Sequence, residues 1–152
     1  MKYWLVKTEP DECGIDDIAK AGNNGMVWDG VRNYQARNFL RDMRVGDHVF
    51  IYHSSCAKVG IVGLAEVIQE AFDDPLQFEP SSPYFDAKSK RDNPRWSAVK
   101  LRFIQKFSGV LALQQLKQLA ALAENPLVQK GSRLSVVPFT QAEYQAVLNQ
   151  VS

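Results

Sequence analysis

Apolar and polar positions follow a small set of periods along this chain, and these name most of its elements. Residues 3–7 are short, aromatic and β-branched, and read as a strand that stops before Pro10. From Asn33 onward, Ala36, Leu40 and Met43 recur at helical spacing, so a helix is expected over 33–43, with Asn33 as its N-cap. Residues 47–53 are apolar on both alternating faces: Val49, Ile51 and His53 on one, Phe50 and Tyr52 on the other. Such a strand is buried on both sides. Residues 59–68 are another long apolar run, in which Gly60 and Gly63 permit a bend or bulge. Residues 96–107 alternate again, with Val99, Leu101 and Phe103 opposite Lys100 and Arg102. A single helical turn is expected over 15–19, a helix over 111–123, and a short extended piece over 134–137. Thr140-Gln141-Ala142-Glu143 is a capping box, with Phe139 and Tyr144 as its hydrophobic staple. A last helix therefore starts near Gln141.

Residues 73–94 break the pattern. They are rich in Pro, Asp and Ser, yet carry Phe78, Tyr84 and Phe85. A loop this long in a compact chain is functional or disordered, and the aromatics argue against plain disorder. With no repeat and no linker, one domain is expected over 1–152. Few, long strands with bent glycines predict an α+β fold, a curved β-sheet or small barrel flanked by helices.

Composition narrows the function classes. The 152 residues are 45% hydrophobic and 23% charged, as in an ordinary globular protein. A formal net charge of +1 excludes a strongly basic nucleic-acid coat. Any nucleic-acid partner must therefore be held by a local patch and a pocket. No apolar run is long enough to span a bilayer, and the start of the chain lacks the features of a signal peptide. No targeting segment is expected before the first strand. Two cysteines, Cys13 and Cys56, are too few for a disulfide scaffold, so a reducing, cytoplasmic setting is expected. Cys13, His48, His53 and Cys56 lack the paired spacing of a zinc site. No phosphate-binding glycine loop is present. Neither a metal nor a cofactor is expected, and a monomer is favoured.

The densest chemistry lies in Trp28-Asp29-Gly30-Val31-Arg32-Asn33, between the first strand and the Asn33 helix. An aromatic, a carboxylate, a glycine, an arginine and an amide share one turn. Gly30 permits positive φ or a close approach of backbone, and Trp28 offers a flat surface with one N–H donor. The turn suits a planar, polar ligand such as a nucleobase. It equally suits a core tryptophan followed by a simple turn.

Several separated motifs occur in one order: Trp4-Leu5-Val6-Lys7-Thr8-Glu9-Pro10, Trp28 through Asn38, Gly46-Asp47, Tyr52-His53-Ser54, Gly60-Ile61-Val62-Gly63, Pro94-Arg95-Trp96 and Arg133-Leu134-Ser135-Val136. Together they resemble the EVE domain of the PUA-like superfamily, over essentially the whole chain. The resemblance implies a PUA-like pseudobarrel flanked by helices, with kinship to YTH, PUA and ASCH domains. It also implies a reader of modified bases in DNA or RNA rather than an enzyme. Two positions depart from the family pattern. Ser55 stands where Asn is frequent, and Gly14 stands where a capping Ser is frequent.

By comparison with YTH domains, the end of strand one, the Trp28 turn, the end of the Tyr52 strand and the aromatic loop should line one pocket. Trp28, Tyr84, Phe85 and Trp96 are the expected walls, and core packing is the alternative for each tryptophan. Lys7, Thr8, Glu9, Asp29, Asn33, His53 and Ser54 are the expected edge contacts, with a core histidine the alternative for His53. Phosphate contacts are expected from Arg32, from the stripe Arg37, Arg41 and Arg44, and from the loop cations Lys88, Lys90, Arg91 and Arg95. A solvated helix face is the alternative for the stripe. No catalytic set emerges: adjacent His53 and Ser54 point to opposite faces of a strand. An enzyme acting on nucleic acid or nucleotide, using His53, Glu9 or Asp29, remains the second reading of these residues. A protein-interaction domain is the third.

Overall fold

The computed structural model describes residues 1–151, so Ser152, the end of the expected domain, lies outside the described residues. In chain order the elements are β1 (Tyr3–Thr8), α1 (Ile15–Lys20), β2 (Met26–Trp28), α2 (Tyr34–Asp42) and β3 (His48–His53). Then follow β4 (Gly60–Asp73), β5 (Ser97–Ala112), α3 (Leu113–Lys117), β6 (Val136–Phe139) and α4 (Gln141–Leu148). The six strands form one mixed sheet in the order β2-β5-β4-β3-β1-β6. β1 and β3 run parallel, Tyr3 opposite His48 and Thr8 opposite His53, and the other neighbours are antiparallel. The fold is α+β and PUA-like, as expected. Among the described residues, no helix is long and apolar enough to cross a membrane.

Helices cover both faces of this sheet, and that is why β3 is apolar throughout. Val49 and Ile51 belong to one core cluster, with Trp4, Val6, Ala65, Leu101 and the buried residues of α1 and α2. Phe50 and Tyr52 belong to the other, with Leu5, Ile61, Leu116, Val137, Tyr144 and Val147. Register shifts between β4 and β5 bend the two longest strands. Gly63 sits at one of them, where a Cβ would lie 2.6 Å from the Gln105 carbonyl and from the Ile15 side chain.

Helix ends follow their local rules. Asn33 Oδ1 accepts from the Ala36 amide at 2.9 Å and starts α2. Thr140 and Glu143 form the reciprocal capping box of α4. The Gly46-Asp47 motif ties α2 to β1, because buried Asp47 accepts from Lys2 N, Trp4 Nε1 and Arg44 N, each at 3.0 Å. Gly14, which has no side chain to cap α1, is compensated across the sheet. His53 Nε2 accepts from the Ile15 amide at 3.1 Å, and Asp17 accepts from the Gly14 amide at 2.7 Å.

Five elements differ from expectation. β5 continues to Ala112, so the helix expected over 111–123 shrinks to α3 and a 3₁₀ turn at Ala120–Leu122. The cause is strand pairing: Leu111 and Ala112 sit opposite Ile61 and Gly60, and tertiary pairing overrides helix propensity. β4 extends past residue 68 to Asp73. β6 begins two residues late. β2 has no counterpart in the sequence pattern, since three residues carry no period and only pairing with β5 defines them.

Candidate functional site

A cavity of about 740 Å³ opens at the carboxyl ends of the parallel strands β1 and β3. Its size falls in the range of about 300–1,000 Å³ usual for small-ligand sites. Lys7, Thr8 and Glu9 line it from the end of β1, and Ser54 and Ser55 from the end of β3. The run from Val27 to Asn33 lines the opposite side, and Tyr84 closes it from the long loop. Glu12, Cys13, Ser132, Arg133 and Ser135 complete the lining.

One buried carboxylate fixes the Trp28 turn. Asp74 is fully buried and accepts from Gly30 N at 2.8 Å, Arg32 Nη1 at 2.8 Å and Leu76 N at 2.7 Å. Arg32 in turn donates from Nε and Nη2 to the Tyr84 carbonyl at 3.0 and 2.8 Å. Gly30 has φ 78°, and a Cβ there would lie 3.2 Å from the Tyr84 ring. Glycine is therefore required twice, for the turn and for the ring that lies over it. Buried Gln77 stitches the rest of the loop by donating to the Asp74 and Trp96 carbonyls and accepting from Ser89 Oγ and Trp96 N.

The electrostatics of the cavity are mixed. The Tyr84 hydroxyl donates to the Glu12 carboxylate at 2.8 Å and is pushed up to about 12, by burial first and that carboxylate second. Burial and neighbouring carboxylates push the Cys13 thiol up to about 11, so it stays protonated at neutral pH. Asp29 is half-buried, bonded to its own backbone N–H, and raised above the usual carboxylate value by burial and then by the charge of Asp74. Lys7 is half-buried over the Tyr52 ring at 5.6 Å, and burial pulls its ammonium below the usual lysine value. Thr8 Oγ1 donates to the Cys13 carbonyl at 2.8 Å, and Ser54 N donates to the Thr8 carbonyl at 2.9 Å. Ser55 holds φ 54°, a left-handed conformation that Asn adopts more readily than Ser. Among the described residues, no group of three or more His, Cys, Asp or Glu side chains is arranged to hold a metal.

The structure brings Lys7, Thr8, Glu9, Trp28, Asp29, Arg32, Asn33, Ser54 and Tyr84 to this cavity. It does not bring His53, Phe85 or Trp96. His53 is occupied as the cap of α1. Phe85 is an exposed ring outside the lining. Trp96 is buried, donates from its indole N–H to Asp86 at 2.8 Å and stacks on Tyr34 at 4.8 Å. Trp28 does both jobs considered for it, sitting in the core at 6% exposure with an edge on the cavity. Of the expected phosphate contacts only Arg32 lines the cavity, and Asp74 already neutralises it. Arg37 and Arg41 donate to the Arg95 carbonyl and Arg41 also to Ser97 Oγ, tying α2 to the start of β5. Arg44 donates to its own helix end. Arg91 covers the Phe78 ring at 4.6 Å, and Arg95 pairs with Asp86. Lys88 and Lys90 are exposed and lie outside the lining. Glu12, Asp74 and Arg133 were not anticipated in the site. Of these only Arg133 left a signal, as part of the Arg133-to-Val136 motif.

Known proteins resemble this chain in sequence and fold over nearly its full length. A protein from Pseudomonas putida has a crystal structure with 52% identity and a TM-score of 0.94, covering 97% of each chain. Mouse thymocyte nuclear protein 1 is 42% identical, the match covering 97% of this chain and 72% of the mouse protein. The human THYN1 protein, solved in complex with 5-methylcytosine-containing DNA, is 38% identical with a TM-score of 0.89, covering 99% of this chain and 97% of that one. The family model described as the EVE domain matches residues 2–150. With that match and relatives of about 40% identity over nearly the whole chain, the chain belongs to the EVE domain family.

Proposed function

We propose that this chain is a non-catalytic reader that takes one modified nucleobase, extruded from a DNA or RNA strand, into the cavity between the Trp28 turn and Tyr84. The observation that carries the proposal is the match, over 99% of this chain, to the human THYN1 protein solved with 5-methylcytosine-containing DNA. The chemistry of the cavity supports it. Tyr84 and the edge of Trp28 offer flat surfaces, and stacking a base on an aromatic contributes about 1–3 kcal/mol. Asp29 is a half-buried acceptor suited to an exocyclic amino group, the contact a carboxylate makes with cytosine. A methyl substituent adds only about 0.8 kcal/mol by burial, so discrimination rests on fit and on edge bonds. Extrusion favours single-stranded or easily unpaired sites, because unstacking a base from duplex costs free energy.

The enzymatic reading is less well supported. His53 is occupied by the Ile15 amide and the Cys13 thiol is held protonated. Asp29, with its raised carboxyl, is the group through which catalysis would enter.

The test is calorimetric titration with 5-methylcytidine, cytidine, N6-methyladenosine and adenosine, with chromatography of the mixtures for product. Saturable binding of a methylated nucleoside without product is expected. Tyr84→Ala should weaken it about 5- to 150-fold, the loss of one stacking surface. Tyr84 is the better probe than Trp28, whose removal also empties core volume. Absence of binding, or conversion of a nucleoside, overturns the proposal.

A further inference from the structure

A second cavity, of about 880 Å³, adjoins the first, and Lys7, Ser54 and Ser132 line both. Its far side is built from the last residue of α3, Lys117, and from the turn after the 3₁₀ segment Pro126–Val128, which carries Lys130. Three lysines line it and no carboxylate does. Lys117 and Lys130 are exposed at its rim, and apolar side chains including Tyr52, Leu113 and Leu127 line it with them.

The first cavity has a different balance. Lys7, Arg32 and Arg133 share it with Glu9, Glu12 and Asp29, and Arg32 is already paired with Asp74. A phosphate entering there would meet three carboxylates with only Lys7 and Arg133 left to balance them. A base in the first cavity brings its own phosphodiesters with it, so those anions need an adjoining site of opposite charge. The second cavity, which shares Lys7, Ser54 and Ser132 with the first, supplies one.

We infer that the second cavity binds the phosphodiester backbone of the strand next to the extruded nucleotide, through Lys7, Lys117 and Lys130, with the flanking sugar over its apolar lining. This rests on the base-binding proposal. It gives the strand a path from the mouth of the base site across the turn at Gly131. It also assigns the salt-dependent part of binding to α3 and that turn rather than to Arg37, Arg41 and Arg44, whose side chains are bonded within the protein.

The experiment compares wild type with Lys117→Gln/Lys130→Gln and, as a control of equal charge change, Arg41→Gln/Arg44→Gln. Fluorescence anisotropy measures a single-stranded 12-mer containing 5-methylcytosine over a range of salt, calorimetry measures free 5-methylcytidine, and thermal melting confirms folding. The lysine pair should leave nucleoside affinity within about twofold. It should lower oligonucleotide affinity at least tenfold and reduce the salt slope by about 1.4, two contacts at about 0.7 each for a single strand. The arginine pair should change the slope far less. Intact nucleoside binding with an unchanged oligonucleotide slope in the lysine variant overturns the backbone site and leaves the base site standing. Equal losses in both variants also overturn it, since they report only long-range charge. Failure of wild type to bind either ligand overturns the base site and this inference together.

Discussion

In the cavity beside the Trp28 turn, three cationic side chains share the lining with three carboxylates; in the neighbouring cavity, three lysines share it with none. The two meet at Lys7, Ser54 and Ser132, so the contrast is local rather than a property of opposite faces. On the function proposed above, it teaches how a chain of formal net charge +1 would address a polyanion. The charge is not spread over a coat but sorted, with acceptors where an uncharged base edge would sit and donors where its backbone would run. The two regions also differ in how they are built. The first is framed by a fully buried carboxylate and crossed by Tyr84, whereas the second is rimmed by exposed side chains on a five-residue helix and a turn.

The sharpest way to break this contrast is to remove the frame of the first cavity. Asp74→Ala leaves the Arg32 guanidinium and the Gly30 and Leu76 amides without their acceptor. Loss of one partner of a buried pair costs about 3–5 kcal/mol. Arg32 keeps 21% exposure, so the lower end is expected here. Urea unfolding should show that loss, and nucleoside affinity should fall with it because Tyr84 is positioned through Arg32. Wild-type stability in Asp74→Ala would mean that the turn is held by something other than this carboxylate.

Asp74 also marks where the sequence stops being readable. Asn33 and the Thr140 box were legible because a capping side chain bonds an amide three residues away, a rule contained within one turn. The two-faced burial of β3 was legible from its apolar run. Asp74 acts on Gly30 and Arg32 more than forty residues away and Gln77 on Trp96 nineteen away; the one local mark, Asp74 capping the turn at Pro75, says nothing of those distant partners. The same limit explains the tryptophans. Trp28 and Trp96 occur in similar polar surroundings, and only the path of the loop puts one on the cavity and the other under Tyr34. His53 looked like a ligand group because the partner it serves, the Ile15 amide, lies 38 residues earlier. Of the lysines of the second cavity, Lys117 is hidden inside an expected helix that forms only in part, and Lys130 lies in an aperiodic turn beyond it.

A smaller effect is expected from Asp29→Asn, which exchanges a half-buried carboxylate for an amide of the same shape. If Asp29 accepts from an exocyclic amino group, affinity for a cytosine-type nucleoside should fall by about 1–3 kcal/mol, the discrimination carried by one good base-edge pair. The slope of oligonucleotide affinity against salt should be unaffected, because Asp29 does not line the second cavity. A changed slope with unchanged nucleoside affinity would assign Asp29 to the backbone and dissolve the division between the two cavities.

The smallest expected effect is a pH dependence confined to the rim of the first cavity. His53 accepts from the Ile15 amide through Nε2, so the neutral ring carries its proton on Nδ1. Burial lowers its pKa below the ordinary 6.5; Asp16 acts against that shift and Lys106 acts with it. The neutral form is therefore favoured in the folded chain. Its stabilising contribution is complete above pH 6.5 and is lost as pH falls below that value and through the folded pKa. The loss should be about 1 kcal/mol, the usual net worth of one hydrogen bond. Asp29 cannot mimic the effect: its carboxyl is raised in the folded state, so its contribution to stability improves as pH falls. Melting temperatures of wild type and His53→Gln, compared between pH 8 and pH 5, isolate the term, since glutamine keeps an acceptor but does not titrate. Wild type should lose more stability than His53→Gln over that interval. The consequence is local, because α1 follows directly on Glu12 and Cys13, which line the first cavity and not the second. Parallel melting curves for the two proteins would show that His53 is not what holds α1 to the end of β3.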